Sequence, residues 1–171
     1  MKKVVLSCFL ILLLVPLFAQ DADIVTRILA KKTVTCIDFS YLVASELGME
    51  CTPFEAYTYC DRFGCFPFKA SADKPVTVRM VSLFLMKNYG LNGGVLWSAT
   101  HNSRYAWKEL KASGFWKTGI DPNQKLSGRD MVRAISKFFM TYPDARLRNP
   151  PTPEAPTELR NALLADKEET K

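Results

Sequence analysis

Residues 101–137 of this 171-residue chain form a basic, aromatic stretch whose side chains are the best suited in the sequence to bind a ligand. It holds eight basic side chains against three acidic ones, with Tyr105, Trp107, Phe115 and Trp116 interleaved. Cations beside aromatic rings suit an anionic glycan or a lipid headgroup, because charge attraction and ring contacts are both available. The alternative is a solvated outer face with the aromatic rings in the core, and the sequence leaves both open.

Enzyme chemistry is harder to assemble. His101 is the only histidine of the chain, and the polar residues around it favour a lead into a helix over a catalytic base. The acidic residues are dispersed, so no carboxylate pair of the glycosidase type is indicated. Asp121 and Asn123 open like a calcium loop, but Lys125 puts a cation where an oxygen ligand belongs. We therefore predict a non-enzymatic protein without a metal or other cofactor.

The first 20 residues have the pattern of an export leader. Two lysines precede an apolar run over residues 4–18, and Ala19 offers the small side chain that a signal peptidase needs. We predict a signal peptide over residues 1–19 and a bacterial protein of the periplasm or cell surface; an uncleaved anchor is the alternative. Export argues against nucleic acid as a partner. After the leader, no apolar run of about 18 residues predicts a membrane span.

Removing the leader changes the charge and the cysteine count. Two of the 23 basic side chains leave with it, so 21 basic and 17 acidic ones remain. Cys36, Cys51, Cys60 and Cys65 are then an even set in a compartment that permits oxidation. Two disulfides are plausible, with Cys60 and Cys65 near enough to bridge; buried free thiols are the alternative. Their spacing does not match the close pairs of a zinc site.

The elements that must position these residues are helices. At 48% apolar and 12% aromatic residues, the chain can bury a core, which excludes global disorder. Apolar residues recur at helical spacing in six segments, near residues 24–29, 39–47, 54–63, 80–89, 103–113 and 131–139. The best strand pattern, Val95-Leu96-Trp97, is too short for a sheet. We predict an all-α fold over residues 20–145, a compact bundle of helix-loop-helix units, followed by a proline-rich linker and charged tail over 146–171.

An internal repeat supports this organisation. Residues 54–91 align without a gap on 104–141, in the order helix, glycine, aromatic residue, turn and capped helix, and residues 33–49 supply a partial third copy. Two helix starts carry a hydroxyl residue with an acid three positions on, which predicts an N-cap. These are Thr35 with Asp38 and Ser127 with Asp130; the middle copy has Thr77, but Met80 stands in the acid position.

The segment from Gly119 to Asp130 resembles the repeat of the S-layer homology (SLH) family, in which a glycine-containing loop leads into a Thr-Arg-Ala-Glu helix start. Asp73 to Thr77 echoes it, and the resemblance covers about residues 33–142. It implies a compact all-α module of three repeats in a pseudo-threefold bundle that holds cell-wall polysaccharide or peptidoglycan. The family's arginine directly follows the threonine, whereas here Val78 and Gly128 take that place and an arginine comes one residue later.

These observations predict an exported, non-enzymatic envelope module that binds peptidoglycan or another anionic polymer, or acts as a scaffold. The residues expected to contact the polymer are Arg79, Trp107, Trp116, Lys125 and Arg129. One alternative is a protein-interaction module whose proline-rich tail docks on an envelope complex. Another is a small cell-wall hydrolase that uses His101 or a carboxylate.

Overall fold

A computed structural model describes residues 22–62 and 70–145 of the chain. This part forms seven helices and no sheet, which confirms the predicted all-α fold. The helices are α1 (residues 22–30), α2 (Cys36–Glu46), α3 (Pro53–Arg62), α4 (Val78–Asn88), α5 (Val95–Thr100), α6 (Ser103–Ala112) and α7 (Gly128–Thr141). The predicted leader, Cys65 and the predicted tail lie outside the described residues.

A short helix that was not predicted lies where the sequence has only a weak strand pattern. Residues 95–97, the best strand pattern in the sequence, form the first turn of the short helix α5. Trp97 explains the difference, because it is 3% exposed and anchors this helix to the body of the protein. The chain turns into α5 through Gly93, where a Cβ atom would lie only 2.6 Å from the indole ring of Trp97. Only glycine permits this close approach.

The core lies between α2, α4 and α7. Helices α2 and α4 bury most of their side chains, whereas α7 buries one face. Aromatic pairs connect the three: Phe39 meets Phe84 edge to face at 4.9 Å, and Tyr89 meets Phe138 at 4.8 Å between ring centroids. On the outside, α3 packs on α2 and α6 packs on α4. Helix α1 reaches α7, where Ile28 approaches Gly128.

Three backbone segments meet in a closed cycle of hydrogen bonds. The N–H of Val34 donates to Leu126 O (2.9 Å), that of Leu126 to Val76 O (3.2 Å), and that of Val76 to Val34 O (2.9 Å). Each of these residues directly precedes the N-cap of α2, α4 or α7 and is at most 2% exposed. Buried backbone groups need partners, and here each segment satisfies the next. An approximate threefold rotation relating the three segments would produce this pattern.

The first backbone amide of each of the three inner helices, α2, α4 and α7, also donates a hydrogen bond to another segment. These amides have no partner within their own helix. The three bonds are 3.0 Å long and run from Cys36 N to Lys74 O, from Val78 N to Gln124 O and from Gly128 N to Lys31 O. Since protein carbonyls occupy these donors, the first amides of the three helices are not available to an anionic ligand.

Both predicted N-caps are confirmed. The Asp38 carboxylate accepts from Thr35 N at 3.0 Å, Thr35 Oγ1 at 2.8 Å and Lys31 Nζ at 2.7 Å. Ser127 Oγ accepts from Asp130 N at 3.2 Å. A further capping box, formed by Thr52 and Glu55 at the start of α3, has the same sequence signature but was not among the predictions.

The middle copy departs from this capping pattern. Thr77 Oγ1 is buried and has no hydrogen-bond partner among the described residues. Its helix has Met80, 7% exposed, where the other two inner helices have an acid. The thioether sulfur of Met80 is only a weak hydrogen-bond acceptor, so it does not replace the carboxylate that binds the hydroxyl in the other two copies.

Candidate polymer-binding cleft

A cleft of about 460 Å³ lies between the loop of residues 115–126 and the outer face of α7. Buried, mainly apolar side chains form its floor, and exposed polar and charged side chains form its rim. The floor contains Phe115, Trp116, Leu126 and Ala134; the rim contains Lys117, Gln124, Asp130, Arg133 and Lys137. An apolar floor with a few polar groups around it is the common design of a ligand site.

The loop is held over the core by one buried side-chain hydrogen bond. Trp116 is 8% exposed, and its indole N–H donates to Ser82 Oγ on α4 at 2.8 Å. The Ser82 hydroxyl in turn donates to Val78 O at 2.8 Å, which fixes its orientation. At the start of the loop, Gly114 takes a left-handed conformation (φ 76°), and Trp116 N donates back to Leu110 O. The floor of the cleft is therefore set by the contact between this loop and α4.

Cations dominate the rim. Lys137 Nζ donates to two loop carbonyls, Gly114 O at 2.9 Å and Phe115 O at 2.6 Å, which ties α7 to the loop. Arg133 lies 3.2 Å from Asp130, with both side chains exposed, and Lys117 is exposed. Three cations and one carboxylate thus surround the opening, so the local potential favours an anion.

The five residues predicted to contact a polymer do not lie together in the structure. Trp116 lies in the floor of the cleft, and its indole N–H is already bonded to Ser82. Arg79 and Lys125 are exposed and share one seam, because Arg79 N donates to Pro122 O and residue 125 forms a backbone bridge with Thr77. This seam joins the start of α4 to the same loop that lines the cleft.

Arg129 and Trp107 lie elsewhere. Arg129 is exposed at the start of α7, next to the bond between Gly128 N and Lys31 O. Trp107 is half-buried on α6 with Lys111 Nζ 5.0 Å from its ring centroid, and its Nε1 finds no hydrogen-bond partner within the described part of the chain. Neither residue lines the cleft.

Packing explains why no arginine directly follows the N-cap. Cys36 and Val78, which take that place in α2 and α4, are both 0% exposed. A Cβ atom on Gly128, the third such residue, would lie 1.8 Å from Ile28 O. A long cation does not fit at these positions, whereas Arg79 and Arg129 one residue later reach solvent.

Three rim residues were not selected from the sequence. Lys117, Arg133 and Lys137 belong to the basic, aromatic stretch of residues 101–137, and the last two are four residues apart on one helix face. That spacing is the signal that could have found them. Their approach to Lys117 depends on how the loop folds over α7.

His101, the histidine of the hydrolase alternative, lies outside the cleft. It ends α5 in a left-handed conformation (φ 47°), and its exposed ring stands 5.0 Å from the Trp97 ring between centroids. It borders a separate small cavity of about 170 Å³, together with Lys87 and Asn92.

No disulfide joins Cys36, Cys51 and Cys60 to one another. A bridge to Cys65 stays a prediction, because that residue lies outside the described part. Burial raises the pKa of the Cys36 thiol to about 11, against the opposing effect of Lys74.

The described residues contain neither a metal-ligand cluster nor a membrane-spanning helix. No group of three or more His, Cys, Asp or Glu residues is placed there to hold a metal ion. No helix in residues 22–62 or 70–145 is long and apolar enough to cross a bilayer. Comparison with family models, with curated proteins and with solved structures gave no match.

Proposed function

We propose that this chain is an exported, non-enzymatic cell-envelope module that binds an anionic glycan, such as peptidoglycan, in the cleft between the 115–126 loop and α7. The observation that carries the proposal is the combination of an aromatic floor, Phe115 and Trp116, with a rim of three cations. Sugar rings have apolar faces that pack on aromatic side chains, and carboxylate or phosphate groups on the polymer pair with the cations.

The size of the cleft supports a small segment of polymer as the ligand. Its volume of about 460 Å³ falls within the range of roughly 300–1,000 Å³ that is usual for small-ligand sites. The cleft is open along the exposed face of α7, so a chain can continue beyond it in solvent. Because the first amides of the inner helices already donate to protein carbonyls, the affinity must come from side chains.

The SLH-like architecture is part of this proposal. The closed cycle of backbone bonds through Val34, Val76 and Leu126 supports it, because the segments before three helix starts pair with one another in the same way. This chain differs from the SLH pattern in the residues proposed to contact the ligand. The cationic rim here includes Arg133 and Lys137 on α7, whereas the family's arginine directly after the N-cap has no counterpart. The non-enzymatic assignment draws support from the position of His101 outside the cleft.

Retention on purified sacculi at increasing salt tests the proposal. In the double variant Lys117→Glu and Arg133→Glu, we expect the affinity to fall at least about tenfold, since two attractive charges become repulsive. Wild-type binding should weaken as salt rises, because the rim is solvent-exposed. Lys32→Glu with Arg62→Glu is the control: it makes the same change in net charge at exposed residues away from the cleft. Equal retention of all three proteins would refute the assignment of the cleft.

A further inference from the structure

The short helix α5 has an exposure pattern that core packing does not explain. Trp97 is its one buried residue, at 3% exposed, while Val95 is 84% and Leu96 56% exposed. The helix lies in the connection between α4 and α6, which runs from residue 89 to 102. The connection between α2 and α3 spans only residues 47–52 and contains no helix. The longer connection therefore presents two adjacent aliphatic side chains to solvent.

Helix α5 with its exposed Val95 and Leu96 forms a protrusion, and hydrogen bonds hold it at both ends. The indole N–H of Trp97 donates to Leu91 O at 3.3 Å, before the helix begins. After the helix ends, His101 N donates to Trp97 O at 2.8 Å from a left-handed backbone conformation. The tight packing of Gly93 against the Trp97 ring leaves the turn little freedom. Val95 and Leu96 are consequently presented in a fixed orientation.

The chain on either side of α5 is net basic. Lys87 lines the same small cavity as Trp97, and Arg104 and Lys108 are exposed on the first two turns of α6, directly after the α5 turn. Glu109 is the acid in this neighbourhood, with its carboxylate near Gly94. Residues 87–109 therefore carry three cations and one acid. Two exposed aliphatic side chains in a net basic segment are complementary to a bilayer interface that carries anionic headgroups.

We propose that α5 is a membrane-contact element: Val95 and Leu96 insert between the headgroups of an anionic bilayer while Lys87, Arg104 and Lys108 approach the lipid phosphates. Two side chains fall far short of the roughly 1,000 Å² that a stable protein interface buries, which favours a lipid surface over a protein partner. Insertion of two aliphatic residues gives weak, reversible binding that would hold the module close to a membrane while the cleft contacts a polymer.

Flotation with lipid vesicles tests this inference on the exported chain after removal of its leader, so that residues 1–19 add no membrane affinity of their own. We expect binding to vesicles that contain phosphatidylglycerol and at least tenfold weaker binding to vesicles of phosphatidylcholine alone. The double variant Val95→Asp with Leu96→Asp should lose at least tenfold in affinity. The double variant Phe54→Asp with Met140→Asp is the matched control, because both side chains are exposed (55% and 83%) outside the α5 connection. It makes the same change in net charge and should leave binding unchanged.

Other outcomes would overturn the proposal. Equal binding to both kinds of vesicle, or unchanged binding of the Val95/Leu96 variant, excludes α5 as a lipid contact. A wild-type dimer in solution that the same variant disrupts, without vesicle binding, would assign the surface to a second copy. The cleft variant with glutamate at Lys117 and Arg133 should still bind vesicles, so failure of the polymer proposal is distinguishable from failure of this one.

Discussion

Replacing Gly128 by alanine should strongly disturb the junction between α1 and α7. A Cβ atom there would lie 1.8 Å from Ile28 O, 2.7 Å from Ile28 C and 2.9 Å from the Cα of Leu29, all of them backbone atoms. Helix α1 must therefore move away, and the bond from Gly128 N to Lys31 O lengthens or breaks. Overpacking costs about 1–3 kcal/mol, a lost hydrogen bond adds about 1 kcal/mol, and the higher helix propensity of alanine returns up to about 1 kcal/mol. We expect the free energy of unfolding to fall by about 2 kcal/mol.

Urea unfolding followed by circular dichroism measures this change. The control is Gly119→Ala, because no atom lies within 4 Å of a Cβ built on Gly119, and its effect should stay below about 0.5 kcal/mol. If Gly128→Ala is as stable as wild type, the close approach of α1 to α7 is wrong.

Three further predictions concern buried polar groups. Ser82→Ala leaves the Trp116 indole N–H buried without a partner, so unfolding experiments should show a loss of about 1–3 kcal/mol, and unchanged stability would argue against that bond. Asp38→Asn should lower the free energy of unfolding by about 2 kcal/mol, because this carboxylate is 8% exposed and bonded to lysine. Asp130→Asn should lower it by less than about 1 kcal/mol, because the Asp130 side chain is 47% exposed. Equal effects of the two substitutions would contradict the burial argument. Burial raises the pKa of Cys36 from 9.0 to about 11, so the unfolded chain releases its proton first and stability should fall as pH rises from about 9 to about 11. Cys36→Ala should remove that part of the slope, and an identical pH profile would refute it.

The long helices could be predicted because each buries apolar residues at helical spacing. In α7, Met131, Ile135 and Phe138 are all buried, as their spacing indicates. Helix α5 could not be predicted in this way, since six residues make fewer than two turns and two of its apolar residues, Val95 and Leu96, face solvent. Its one buried residue is Trp97, and a single buried residue shows no helical spacing in the sequence.

The site was predictable only in part. The basic, aromatic composition of the stretch marks the region, and Trp116 does lie in the cleft. However, no local pattern relates Lys117 to Arg133, because they line the same cleft only after the loop has folded over α7. The cycle of bonds through Val34 and its two counterparts is made by backbone atoms, so side-chain identity gives little indication of it.

The most direct measurement is a nuclear magnetic resonance titration of solubilised peptidoglycan fragments into the isotope-labelled chain without residues 1–19. We expect shifts in the indole N–H signal of Trp116 and in the backbone signals of Lys117 and Arg133, weakening as salt is raised. Absence of shifts at these three residues, or shifts confined to the seam of Arg79 and Lys125, would contradict binding in the cleft.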